Sequence, residues 1–314
     1  MENQPPNEDL TPSTQAGAMN VGLIGTGRIG AHMAANLLRA GHRVYVHDIN
    51  KTAAADLIAD GAVWANSPAE MAAETDVTIA SLPGPLEVES VALGVHGVLA
   101  GARKGHVYID TTSSYPSLIQ RISSEAIKRG VDVIDAPLTG GTSGAEAGTL
   151  IFIAGGEAKV LERVQPILSL LGKKTVHMGS SGAGCAAKLV NNMLGQIQIY
   201  SFAEALGLAA KFGLDVKQVV ELLSQGQTGS GILTHFYANK GLKGDFEPGF
   251  TVDLAFKDQA LISQLGRELG VPLYFNALVV QRIADMRARG LGAKDHTAAI
   301  LPLEELLHVK IRID

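Results

Sequence analysis

The stretch Val21-Gly22-Leu23-Ile24-Gly25-Thr26-Gly27-Arg28-Ile29-Gly30 decides how this chain is read. Its apolar run, 21–24, has the length of a buried strand, and glycines follow at 25, 27 and 30. Residues 31–40 then place Met33, Leu37 and Leu38 on one helical stripe, and Gly41 stands where a helix C-cap belongs. A strand that ends in a GxGxxG turn and opens a helix is the setting in which this spacing binds a dinucleotide. Gly25 permits the tight turn, Gly27 lets the backbone approach a pyrophosphate, and Gly30 lets the helix pack closely on the strand. Free amides at the helix start meet the anion, so Gly25, Thr26, Gly27, Arg28, Ile29 and Gly30 form one expected cofactor cradle.

The next strand, 44–48, ends in Asp48, 18 positions after Gly30. A carboxylate there accepts hydrogen bonds from adenosine ribose hydroxyls and repels a 2′-phosphate, which favours NAD. Lys51 and Arg28 stand near enough in sequence to leave NADP open as a second cofactor.

Alternation continues outward. Helices are expected over 52–60, 87–91, 116–129 and 159–171, with strands over 77–80, 106–109, 131–134, 150–154 and 175–178. This pattern predicts a mostly parallel sheet with helices on both faces. After Gly179-Ser180-Ser181-Gly182 the pattern turns helical: one helix over 183–212, on the order of 45 Å long, then 216–223, 252–269, 274–289 and 297–306. The expectation is an α/β chain: a leader over 1–18, a Rossmann-like NAD(P)-binding domain over 19–181, and an all-α substrate and oligomerisation domain over 182–314, joined by the long helix.

The totals narrow the function. A net charge of -5 argues against a general nucleic-acid or anionic-membrane binder. No run approaches the roughly 20 apolar residues of a membrane span. Cys185 is the single cysteine, and the nine histidines show no HxxxH or HExxH spacing, so neither disulfide nor metal site is expected. Residues 1–18 are polar, with three acids and no Lys or Arg, unlike a secretory or mitochondrial signal. They read as a disordered leader on a cytoplasmic protein.

Four motifs in order resemble the β-hydroxyacid dehydrogenase family. They are the glycine turn running into MAANLLRAGH (33–42); Asp135-Ala136-Pro137-Leu138-Thr139-Gly140-Gly141 with Gly144-Ala145-Glu146-Ala147-Gly148-Thr149-Leu150; Gly184-Cys185-Ala186-Ala187-Lys188-Leu189-Val190-Asn191-Asn192; and Phe256-Lys257-Asp258 preceded by Phe250. The resemblance covers residues 19–300. It implies oxidation of a small 3-hydroxy acid, or reduction of the matching semialdehyde, by a homodimer or homotetramer. It also places Lys257 near the substrate carboxylate or the cofactor, Asp258 and Phe250 at the substrate, and Leu82, Pro83, Thr112 and Ser113 near ribose and nicotinamide.

The residue chemistry agrees. Asn191 and Asn192 follow Lys188 at i+3 and i+4, the spacings that share its helical face. A lysine desolvated there loses affinity for its proton, as a general base in alcohol oxidation requires, and serves as the acid in reduction. Asn192 is expected to bond the reacting oxygen or orient the lysine. Thr139, Gly140 and Gly141 suit a nest of amides for a carboxylate, or for a sulfonate in its place. Threonine stands where the family usually has serine, adding a methyl that narrows the pocket. An imine reductase of the same architecture is the nearest enzymatic alternative, but those relatives usually lack the lysine. A 6-phosphogluconate dehydrogenase needs a longer helical domain. A cofactor-sensing protein without activity has no chemical reason to keep Lys188, Asn192 and the 139–141 turn.

Overall fold

The computed structural model describes residues 19–225 and 231–313, so the expected leader lies outside the described residues. The chain divides into two compact units, one up to Cys185 and the other from Ala186.

The first unit is built on a nine-stranded sheet of β1 (Asn20–Ile24), β2 (Arg43–His47), β3 (Val63–Trp64), β4 (Val77–Ala80), β5 (Val107–Asp110), β6 (Asp132–Asp135), β7 (Leu138–Thr139), β8 (Leu150–Gly155) and β9 (Gly172–Gly179). Their order is β3-β2-β1-β4-β5-β6-β8-β7, with β9 on β8. From β3 to β6 every pairing is parallel; β8 runs antiparallel to β6 and β7, and β9 parallel to β8. The central strands β4 and β5 are buried throughout because helices cover both faces. One core packs helices Gly30–Arg39 and Ala158–Leu171 through Met33, Leu37, Val164 and Leu168. The other packs Pro116–Ile127 and Pro68–Glu74 through Ile119, Ile122 and Met71.

Several elements differ from the sequence reading. The 52–60 helix begins as a 3-10 turn, Lys51–Ala54, because the Asn50 side chain accepts from Thr52 N and tightens the entry. Helix Pro68–Glu74 was not expected, yet it has a readable start: Ser67 Oγ accepts from Glu70 N at 3.1 Å and Pro68 occupies its first turn. In the second unit the 297–306 helix divides into a 3-10 segment, His296–Ile300, and Leu301–Leu307, where Pro302 starts the new turn.

The long helix runs over Ala183–Phe212, as its pattern predicts. In the second unit Ile199, Phe202, Ala203 and Leu206 on this helix pack with Leu233, Tyr237, Val252, Ile283 and Ile300. Among the described residues no helix is long and apolar enough to cross a membrane.

Candidate active site

The register of the sheet collects the residues expected to hold the cofactor. Ile24 pairs with His47 on one side and Ala80 on the other, and Ala80 pairs with Asp110. The residues that follow each of these share the carboxyl edge of the sheet, beside β1 and β4, where the strand order reverses. That crevice is where open α/β sheets bind ligands.

Each glycine of the turn is required for a different reason. Gly25 has φ +89°, and a Cβ there would stand 2.3 Å from Ser81 O. At Gly30 a Cβ would meet Gly25 O at 1.9 Å, so the helix start rests directly on the turn. Gly27 is the opposite case: exposed, with nothing within 4 Å of its would-be Cβ, it leaves backbone open to a ligand. The helix begins at Gly30 with no side-chain cap and no acid in its first turn. Bare amides and an open glycine fit a pyrophosphate. Gly30→Ala should therefore raise the dissociation constant for NADH on the order of tenfold or more and lower the melting temperature, because the backbone must shift to admit the methyl. Unchanged NADH titration would refute that role.

Asp48 holds the turn. Thr26 N donates to its Oδ2 at 2.8 Å and Thr26 Oγ1 to the same oxygen at 3.2 Å, while Asn50 N donates to Oδ1 at 2.8 Å. Lys51 Nζ lies 5.2 Å above the Trp64 ring, a cation–π contact. The loops after β4 and β5 are tied together: Leu82 N donates to Thr112 Oγ1 at 3.0 Å, and Thr112 N donates to Asp110 Oδ1 at 3.0 Å. Asp110 is fully buried, and burial pushes it up to about 7 against the pull of the Thr112 hydrogen bonds.

Asp135, which opens the second of the four motifs, turns out to serve the long helix. Its Oδ1 accepts from Gly182 N and its Oδ2 from Cys185 N, both at 2.8 Å, so it caps that helix. Burial raises its pKa while those amides lower it. Thr139 ends β7, and Gly140 and Gly141 follow with φ +124° and +62° into the helix Gly141–Ala147.

In the helical unit, burial lowers the pKa of Lys188; Asp258 opposes that shift and Lys257 reinforces it. Asn192 Nδ2 donates to Asp258 Oδ2 at 2.7 Å, and Asp258 Oδ1 forms an ion pair with Lys257 Nζ at 3.2 Å. Asn192 is thus fixed by Asp258. Asn191 is exposed and donates through Nδ2 to Asn192 Oδ1 at 3.2 Å, so it steadies its neighbour. Phe250 is partly buried, its N donating to Asp295 Oδ2 at 3.1 Å.

Known proteins supply an independent comparison. Residues 20–179 match the family model described as the NAD binding domain of 6-phosphogluconate dehydrogenase. Residues 182–303 match the one described as NAD-binding of NADP-dependent 3-hydroxyisobutyrate dehydrogenase. The chain belongs to the β-hydroxyacid dehydrogenase family. Among β-hydroxyacid dehydrogenase relatives, 2-(hydroxymethyl)glutarate dehydrogenase of Eubacterium barkeri is 38% identical over 94% of this chain and 98% of its own length. The 3-sulfolactaldehyde reductase of Escherichia coli (strain K12) is 32% identical, covering 89% of this chain and 94% of its own. A solved structure of the Mycobacterium tuberculosis 3-hydroxyisobutyrate dehydrogenase with L-serine superposes with TM-score 0.83 at 32% identity, over 91% of this chain and 99% of that one. As a β-hydroxyacid dehydrogenase, the chain is an NAD(P)-binding oxidoreductase.

Sequence reasoning missed one part of this β-hydroxyacid dehydrogenase. The cap that Asp135 forms spans 47 positions and leaves no local signal.

Proposed function

We propose that this chain oxidises a small 3-hydroxy acid, or reduces the corresponding semialdehyde, with NAD and with Lys188 as the proton-transfer group. The observation that carries the reading is Lys188 itself, with a pKa lowered by burial and set on one helix face with Asn192, which Asp258 fixes at 2.7 Å. Nicotinamide, when bound, supplies or accepts the hydride at the carbinol carbon. Lys188 takes the hydroxyl proton in oxidation and returns one to the carbonyl oxygen in reduction. Asn192 holds that oxygen in line through its amide. Thr139 and the amides of Gly140 and Gly141 receive the carboxylate, or a sulfonate of similar charge. Lys257 and Asp258 close the substrate side, and Phe250 supplies an apolar wall. The turn 25–30, Asp48, Leu82, Pro83 and Thr112 hold the cofactor.

NAD is favoured over NADP because Asp48 sets a carboxylate beside the expected ribose, while Lys51 is engaged by Trp64. Exposed Leu208, Phe212, Tyr274, Phe275 and Leu278 on the helical unit support assembly with further copies of the chain, as a dimer or tetramer. Cys185, free and buried, suits a reducing compartment, which we take to be the cytoplasm.

Initial rates decide the matter. With 3-hydroxyisobutyrate, glycerate, 2-(hydroxymethyl)glutarate and a 3-hydroxy sulfonate as substrates, at least one should turn over with NAD, at a kcat/KM roughly tenfold or more above that with NADP. Absence of turnover across the panel, with cofactor still bound, would overturn the reading.

A further inference from the structure

The helix Gly141–Ala147 follows directly on Thr139 and Gly140, and it is short, with glycine at 141 and 144. A helix of two turns is not stable in water by itself, so its place is set by what it packs against. Only Gly144 and Ala145 of it are buried. Ala145 shares a core with Met33, Ala34 and Leu37 of the helix Gly30–Arg39, and the two helices pack on each other.

Asn36 supplies the polar half of that contact. It is buried, and its Nδ2 donates to Ala145 O at 2.8 Å, across 109 positions of the chain. Ala145 O is one of the last four carbonyls of its helix, which have no partner within it. Gly148 N also donates to it, but at 3.4 Å, so the side chain makes the shorter bond. Asn36 Oδ1 accepts from the Arg39 guanidinium, one turn further on. A guanidinium can only donate, which fixes the amide with its NH2 group towards Ala145.

The bond joins two halves of one site. The helix Gly30–Arg39 opens on the glycine turn 25–30, and Asn36 stands six residues on from Gly30, about 9 Å by rise. The helix Gly141–Ala147 opens on the turn 139–141. We propose that Asn36 is a positioning residue, which holds the carboxylate turn 139–141 in a fixed place relative to the cofactor turn. The proposal rests on the reading of 139–141 as the carboxylate site. Without the Nδ2 donor the short helix loosens and the substrate carboxylate is held less well. The cofactor turn keeps its own supports, Asp48 and the packing of Gly30 on Gly25. A carboxylate contact is made equally in the ground state and the transition state, so its loss shows in KM and not in kcat.

The test compares wild type, Asn36→Leu and Asn36→Asp on a 3-hydroxy acid that turns over, such as 3-hydroxyisobutyrate or glycerate, and on its methyl ester. Leucine has nearly the shape of asparagine and no donor. Aspartate, ionised beside Arg39, cannot donate to a carbonyl either, and it carries the test if Asn36→Leu does not fold. In each variant KM for the acid should rise on the order of tenfold, the size of one buried hydrogen bond, with kcat and the NADH dissociation constant within about twofold. The ester has no carboxylate to place, so its kcat/KM should stay within about twofold and the acid-to-ester preference should fall about tenfold. A KM that does not move, or losses shared equally by acid, ester and NADH, would overturn the positioning role and leave the dehydrogenase reading standing. A wild type that handles acid and ester alike would remove the carboxylate from 139–141, and the role of Asn36 with it. No turnover of any hydroxy acid would overturn the dehydrogenase reading itself.

Discussion

Lys188→Ala should lower kcat by on the order of a thousandfold in both directions while leaving the dissociation constant for NADH within about twofold. A positioned acid or base contributes roughly 10²–10⁴-fold to such a reaction. Lys188 has the attributes for this role: burial weakens its hold on the proton, Lys257 weakens it further, and Asp258 keeps the shift from running to excess. The sign with pH follows. Oxidation requires the neutral amine, so its kcat/KM rises with pH through a pKa below the ordinary lysine value of 10.5. Reduction requires the ammonium and falls through the same pKa. In Lys188→Ala both limbs should vanish. Lys188→Arg should be nearly as slow, because a guanidinium keeps its proton across the accessible range. NADH fluorescence titration separates chemistry from binding. A variant with normal kcat, or one whose loss is matched by lost NADH affinity, would remove the lysine from the proton-transfer step.

How much of this was legible depended on whether a signal was local. The glycine turn and its helix were readable because the constraint lies within ten residues and each glycine meets a separate steric demand. The long helix was readable at both ends: Gly182 and Gly213 bracket it with φ +89° and +93°. Strands β3 and β7 have two residues each, too few for any alternation to show. The helix Gly141–Ala147 contains two glycines and ran against propensity; Gly148, at φ +67°, closes it. The shared stripe of Lys188 and Asn192 was also readable, because i+4 is a sequence fact. The work of Asp135 and Asp110 was not. Each emerges only when β5 and β6 pair and set Asp110 opposite Asp135, two buried carboxylates that no window of sequence places together.

That pairing leads to the second large effect. Asp110→Asn should gain stability over the wild type as pH rises from 4 to 8, by on the order of 4 kcal/mol at the upper limit. Burial is the main cause: it pushes Asp110 from 3.8 to about 7, the Thr112 hydrogen bonds pull it down, and Asp135 pushes it up. Only Oδ1 is bonded, accepting from Thr112 N; Oδ2 is buried with no hydrogen-bond partner among the described residues. The folded chain therefore keeps a proton that the unfolded chain releases between pH 4 and 7. Stability associated with this group is complete below pH 4, is lost progressively as pH rises to about 7, and then levels off. Asparagine keeps the acceptor for Thr112 N and has nothing to ionise, so its own amide cost is the same at every pH. Urea midpoints for the two proteins at pH 4, 5, 6, 7 and 8 isolate the effect, since every other titrating group is common to both. A gap that stays constant across that range would mean that Asp110 ionises in the folded chain as it does in water. A gap that widens and then levels near pH 7 would show that the link between Leu82 and Thr112 is held by a carboxyl kept largely protonated below neutrality.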